Sequence, residues 1–198
     1  MNHRLLATGT AALLLLALAG CTANDPLADQ YADGSGQGYV SGDGAQTELS
    51  IAERGDPIEF EGPSIDGSQI TSSDYGGEVF VVNFWYAGCP PCRAEAPDLA
   101  ALAEQYPDVP FLGVNTQDGA DNAAGFESKY GIEYPSILDV SDASVQLAFA
   151  TAGAVAPNAV PTTLVIDREG RVAARISGRI AAPSILSTMI DTVLAEER

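Results

Sequence analysis

Two cysteines three positions apart, in Cys89-Pro90-Pro91-Cys92, are the residues of this 198-residue chain best suited to chemistry. They follow a near-continuous apolar run from Val79 to Trp85 and precede an Ala- and Leu-rich segment, Arg93 to Tyr106. The run reads as a strand buried on both faces, and the segment as a helix closed by Pro107. A cysteine pair at that junction opens a helix, where unsatisfied N–H groups and a partial positive charge favour thiolate over thiol. The thiolate is the form that attacks a disulfide. Cys89 is therefore expected to be the exposed nucleophile. Cys92, one turn further in, would close an intramolecular disulfide or resolve a mixed one. Pro90 and Pro91 are tolerated there, because residues of the first helical turn have no helical N–H partner to lose.

Two other readings of the pair have to be weighed. A lone Cys-X-X-Cys is half of a zinc site, and a disulfide can be purely structural. The only histidine is His3, at the extreme N-terminus, and there is no second cysteine pair. Zinc would lack ligands unless two carboxylates served, so no metal is expected. A four-residue loop constrains the unfolded chain little, which leaves a structural disulfide with little to contribute. The lack of histidine beyond His3 also removes Cys-His and Ser-His-Asp catalysis. Redox exchange is the reading that remains, with the disulfide itself as the only redox group and no further cofactor.

Charge and punctuation set the frame around the pair. The chain carries 27 Asp and Glu against 9 Lys and Arg, a net charge of −18. Phosphate binding needs clustered cations, so nucleic acid is excluded as a partner, as is a polybasic membrane contact. Met1-Asn2-His3-Arg4 and the apolar Leu5 to Ala17 suit a secretory signal and are too short for a permanent span. The signal ends in Leu18-Ala19-Gly20-Cys21, which resembles a bacterial lipobox and implies a diacylglycerol on Cys21. Three cysteines in an exported protein would leave an odd thiol, and lipidation of Cys21 removes it. Thr22 to Ser50 holds five Gly, five acids and no base, and reads as a tether with a reach of about 30 Å. The expected organisation is thus residues 1–20 signal, 21–50 lipidated Cys21 and tether, 51–198 folded domain.

Within the domain, Ile58-Glu59-Phe60 alternates, and Ile65 to Ile70 carries the Asp-Gly of a tight hairpin. Phe111 to Val114 reads as a second buried strand, and Asp121 to Tyr130 as a helix stopped by Gly131. Ser144 to Thr151 reads as another helix. Thr163 to Asp167 and Val172 to Ser177 form a hairpin, and Pro183 opens a last helix reaching about Glu196. Strands alternating with helices, then a terminal hairpin and helix, predict an α/β domain with a mixed sheet and helices on both faces.

The segment Val81-Val82-Asn83-Phe84-Trp85-Tyr86-Ala87-Gly88-Cys89-Pro90-Pro91-Cys92-Arg93-Ala94-Glu95-Ala96-Pro97 resembles the active-site segment of the TlpA/ResA family of thioredoxin-like disulfide reductases. Val160-Pro161-Thr162-Thr163, followed by Leu164 to Gly170, resembles that family's second signature. The likeness implies a thioredoxin-like fold with an N-terminal hairpin and a central insert between Gly119 and Thr151. It implies a cis Pro161 beside the cysteines, with Val160 offering its backbone to an extended substrate strand and Pro90 beside it. Trp85 and Tyr86 either supply part of an aromatic wall on that side or are plain core aromatics. It also assigns Glu95 to proton handling or substrate recognition, with Asn83 in place of thioredoxin's buried acid. One position departs from the family: the residue before Cys89 is usually Trp and here is Gly88, which predicts a more open approach.

The resemblance further implies a lipid-anchored thiol–disulfide oxidoreductase on the outer side of a bacterial membrane. Its substrates would be disulfides in exported proteins, apocytochrome c being the favoured one, with re-reduction by a membrane electron donor of the CcdA type. A same-fold oxidase would share every motif. A peroxide-reducing enzyme would need a Thr-x-x-Cys turn, which is absent at Cys89, so antioxidant activity is not expected. A lipoprotein that merely binds a ligand or copper would not need a cysteine pair at a helix start.

Overall fold

The computed structural model describes residues 43–154 and 159–196. The expected signal segment, Cys21 and the tether up to residue 42 lie outside the described residues.

The strands are β1 (Asp43–Glu48), β2 (Glu61–Pro63), β3 (Gln69–Thr71), β4 (Phe80–Trp85), β5 (Phe111–Asn115), β6 (Ser136–Leu138), β7 (Thr162–Ile166) and β8 (Val172–Gly178). The helices are α1 (Pro90–Gln105), α2 (Ala120–Tyr130), α3 (Ser144–Thr151) and α4 (Pro183–Leu194). Six strands form one sheet in the order β1-β8-β7-β4-β5-β6, and β2 and β3 pair separately as a hairpin. The pairs β4–β5 and β5–β6 are parallel, whereas β4–β7, β7–β8 and β1–β8 are antiparallel, so the sheet is mixed as expected.

The apolar run of β4 is explained by a core on each side of the sheet. Phe80, Val82 and Phe84 join Phe60, Ile70, Leu112, Phe149 and Leu164 in one cluster. Val81 points the other way, into a cluster with Leu99 and Leu102 of α1 and Leu186, Met189 and Ile190 of α4. Alternate residues thus bury against opposite layers, which makes every position of the strand apolar or hydrogen-bonded. The expected insert region holds α2, β6 and α3. Gly131 ends α2 with φ of 70°, a left-handed conformation that glycine adopts without steric penalty.

Two sequence expectations change. Residues 43–48 are not part of a tether but form β1, the edge strand paired with β8. The Gly- and Asp-rich composition hid it, because β1 takes its register from β8 rather than from an apolar pattern of its own. Ile58 to Phe60 is not a strand; it packs its two apolar side chains into the core ahead of β2. Strand β6, three residues long, is too short to show a period. Beyond β1, the chain is stapled by Arg54, which bonds Asp167 in the β7–β8 turn at 3.0 Å and Glu196 after α4 at 2.7 Å.

Candidate active site

Strand β4 carries Trp85 to its C-terminal end, a turn of three residues follows, and Cys89 caps α1. The Cys92 N–H donates to Cys89 Sγ at 3.2 Å, which is the helix-start contact that favours negative charge on sulfur. Cys89 and Cys92 are joined as a disulfide with their Cα atoms 5.3 Å apart. Cys89 is not exposed, contrary to the expectation: it is 0 % accessible, and Cys92 is 2 % accessible. The pair is buried in a cluster with Trp85, Tyr86, Ala96, Val160, and Ala123 and Phe126 of α2. The inserted helix α2 thus contributes part of the cover, and no periodicity of the cysteine segment reports it.

Other predicted residues arrive at the same place. Val160 lies 2 % exposed in the disulfide's cluster, and the Val160–Pro161 bond is cis. Pro90 is exposed at the start of α1. Of the two readings of Trp85, the structure takes the core aromatic. It is 2 % exposed and stacked on Phe126 with ring centroids 4.4 Å apart, so its face is committed to the core. Gly88 is exposed, as an open approach requires, and a Cβ added there would meet the Tyr86 ring at 3.1 Å.

Glu95 brings a buried carboxyl to the site. It lies one helical turn from Cys92 and is 1 % exposed, so it is no solvated first-turn acid. Asn83 Nδ2 donates to its Oε1 at 3.1 Å and the Ile180 N–H donates to its Oε2 at 3.0 Å. Asn83 Nδ2 also donates to Thr163 Oγ1 at 3.0 Å, across the β4–β7 register pair Asn83 and Thr163. Burial pushes the Glu95 carboxyl up to about 7, against the opposing pull of the Ile180 and Asn83 hydrogen bonds and of Arg179. Burial likewise raises the phenol of Tyr134, and the nearby Glu95 and Glu127 raise it further. Thr163 and Ile180 were not assigned roles from sequence. Thr163 is the last residue of the second motif's Val-Pro-Thr-Thr, whereas Ile180 gives a backbone N–H, which no side-chain pattern can announce. Among the described residues, no three His, Cys, Asp or Glu side chains gather where they could hold a metal ion.

The arrangement supports one exchange. A thiolate at Cys89 attacks a substrate sulfur, the substrate disulfide breaks, and the other substrate sulfur leaves as a thiolate. Cys92 then attacks Cys89 in the mixed disulfide, releasing the second substrate thiolate and leaving the Cys89–Cys92 disulfide seen here. Two electrons pass to the substrate, and the reverse sequence oxidises it.

Sheet order, helix placement and a disulfide capping the helix after β4 define the class of molecule, a thioredoxin-like thiol–disulfide oxidoreductase. Residues 55–175 match the AhpC/TSA family, and the chain belongs to it, among relatives that are thiol–disulfide oxidoreductases. The thiol:disulfide interchange protein HelX of Rhodobacter capsulatus is 32 % identical over 144 residues, covering 73 % of this chain and 74 % of HelX. The thiol-disulfide oxidoreductase ResA of Bacillus subtilis is 30 % identical, covering 69 % of this chain and 73 % of ResA. Among solved structures, a secreted thiol-disulfide isomerase from Corynebacterium glutamicum superposes with a TM-score of 0.62 at 30 % identity, covering 76 % of this chain and 95 % of that one.

Proposed function

We propose that this protein is a lipid-anchored reductase of disulfides in exported proteins, with apocytochrome c before haem attachment as its principal substrate. The observation that carries the direction of transfer is the buried Glu95 carboxyl one turn from Cys92. Although burial displaces it to about 7, near neutral pH it still carries partial negative charge one helical turn from Cys92. That charge opposes a thiolate, favours the disulfide over the dithiol, and so makes the dithiol a stronger reductant. The opposite reading, an oxidase that installs disulfides, is favoured by the Cys92 N–H held 3.2 Å from Cys89 Sγ, which stabilises the thiolate.

Location is read from Leu18-Ala19-Gly20-Cys21: lipidated Cys21 would hold the domain to the outer face of the membrane through residues 22–42. The secreted relative from Corynebacterium glutamicum supports an extracytoplasmic site. A reductant in an oxidising compartment has to be recharged, so a membrane electron donor of the CcdA type is the partner, and the Cys89–Cys92 pair is the only redox group required.

Equilibrating the protein with a glutathione redox buffer and measuring its potential tests the reading. A reductase is expected near or below about −270 mV, the region of thioredoxin. A value more positive than about −180 mV, the region of protein disulfide isomerase, would replace the reductase by the oxidase.

A further inference from the structure

The burial of Cys89 raises a question that the exchange chemistry does not answer. An attacking thiolate needs a line to Cys89 Sγ, yet the residue is 0 % accessible with the disulfide closed. The segment in front of it is Tyr86-Ala87-Gly88, folded back so that the Cys89 N–H donates to the Tyr86 carbonyl at 3.2 Å. Tyr86 is itself buried, at 6 % exposure. Its ring abuts Gly88, where an added Cβ would approach it to 3.1 Å.

Both polar groups of the middle residue, Ala87, are held by charged side chains from different elements. The Ala87 N–H donates to Asp118 Oδ2 at 2.6 Å. The Ala87 carbonyl accepts from Arg93 Nε at 2.7 Å. Asp118 stands in the β5–α2 loop and is fixed in turn, since Asn115 Nδ2 donates to Asp118 Oδ2 at 2.9 Å and the Asp118 N–H donates to Asn115 Oδ1 at 2.7 Å. Arg93 lies on the first turns of α1, one residue beyond Cys92. Charge-assisted hydrogen bonds of this length are the stronger kind, and one on each side of a single residue locks its position.

We propose that Asp118 and Arg93 are positioning residues that clamp the Tyr86–Gly88 turn over Cys89 and so set how fast the Cys89–Cys92 disulfide meets an incoming thiolate. The inference rests on that pair being the exchanging disulfide. Attack then requires a brief local opening of the turn, and the observed rate is the opening equilibrium multiplied by the intrinsic rate. Weakening either bond raises the open fraction. Neither bond is made to a sulfur, so the equilibrium between disulfide and dithiol is left nearly alone.

The test is reduction of the oxidised full chain, purified in detergent, by dithiothreitol. A reductant thiolate attacks Cys89 Sγ, the Cys89–Cys92 bond breaks and Cys92 leaves as a thiolate. The second reductant sulfur then displaces Cys89 and closes the cyclic disulfide, so two electrons reach the protein. Trp85, the only tryptophan of the chain, lies in the disulfide's own cluster and gives the fluorescence signal. Asp118→Ala is expected to speed reduction by about tenfold, the population change produced by losing one hydrogen bond to a charged group, and Arg93→Ala, whose bond is exposed to solvent, by about threefold. Asp118→Asn keeps an acceptor for the Ala87 N–H and is expected to restore a rate within about twofold of the unaltered protein.

A mere field effect is distinguishable. Removing an anion would speed attack by a thiolate and removing a cation would slow it, so opposite changes in the two alanine variants would overturn the clamp. Unchanged rates in both, or faster rates matched by an equal change in the glutathione equilibrium, would also overturn it. If Asp118→Ala fails to fold, the exposed Arg93 carries the test alone. Failure of the unaltered protein to be reduced by excess dithiothreitol would instead overturn the exchange chemistry beneath the clamp.

Discussion

Glu95→Gln is expected to stabilise the oxidised protein above neutral pH and to lose that advantage in acid. Displacing a carboxyl from 4.5 to about 7 corresponds to roughly 3 kcal/mol. The sign follows from proton binding. Between pH 4.5 and about 7 the unfolded chain has released the proton that the folded chain retains, so stability falls as pH rises through this window. Above it both states are ionised and the full penalty stands. Gln cannot ionise, so the difference between variant and parent grows across the window and levels off above it. Groups that do not interact with Glu95 (Glu127 and Asp167 among them) are common to both proteins and cancel. The Tyr134 phenol, which Glu95 helps to raise, keeps its proton below and above this window in the folded protein. An amide at position 95 does face two donors, Asn83 Nδ2 and the Ile180 N–H. Rotation of the Asn83 amide accommodates it, because the Thr163 hydroxyl can donate as well as accept. Any residual mismatch adds a constant at all pH values. Urea unfolding at pH 5 and pH 9, followed by Trp85 fluorescence with the disulfide intact, should show the midpoint difference change by about 1–3 M in favour of the variant. A difference that stays flat between those pH values would refute a displaced Glu95.

Three further outcomes follow from the same geometry. Cys89→Ser should abolish disulfide exchange, while Cys92→Ser should trap a mixed disulfide between Cys89 and substrate. Trapping by the Cys89 variant instead, seen on non-reducing gels, would reverse the two roles. Arg54→Ala should destabilise the fold by about 2–3 kcal/mol in denaturant titration, below the usual loss for a broken buried ion pair. The reduction is expected because Arg171 Nε still reaches Asp167 Oδ2 at 2.9 Å. A loss under about 0.5 kcal/mol would show the staple to be idle, as most exposed ion pairs are.

Local chemistry is what the sequence by itself determined. A cysteine pair between an apolar run and a helical segment states its chemistry without coordinates, because helix starts and buried strands are set by neighbouring residues. The same holds for the β7–β8 hairpin, α2 with its Gly131 stop, and α4 opened by Pro183. Whatever depends on distant partners was decided only by the tertiary structure. Strand β1 exists because β8 offers a free edge. Glu95 is buried because Asn83 and Ile180, 12 and 85 residues away, supply donors where α1 packs on the sheet. Trp85 turned inward because α2 presents Phe126 to it, and Cys89 lost its exposure because the turn before it is held from both sides. Sequence spacing fixes which atoms are near along the chain. Solvent exposure, carboxyl acidity and access to a sulfur are set by what folds over them, and that is a property of the packed molecule alone.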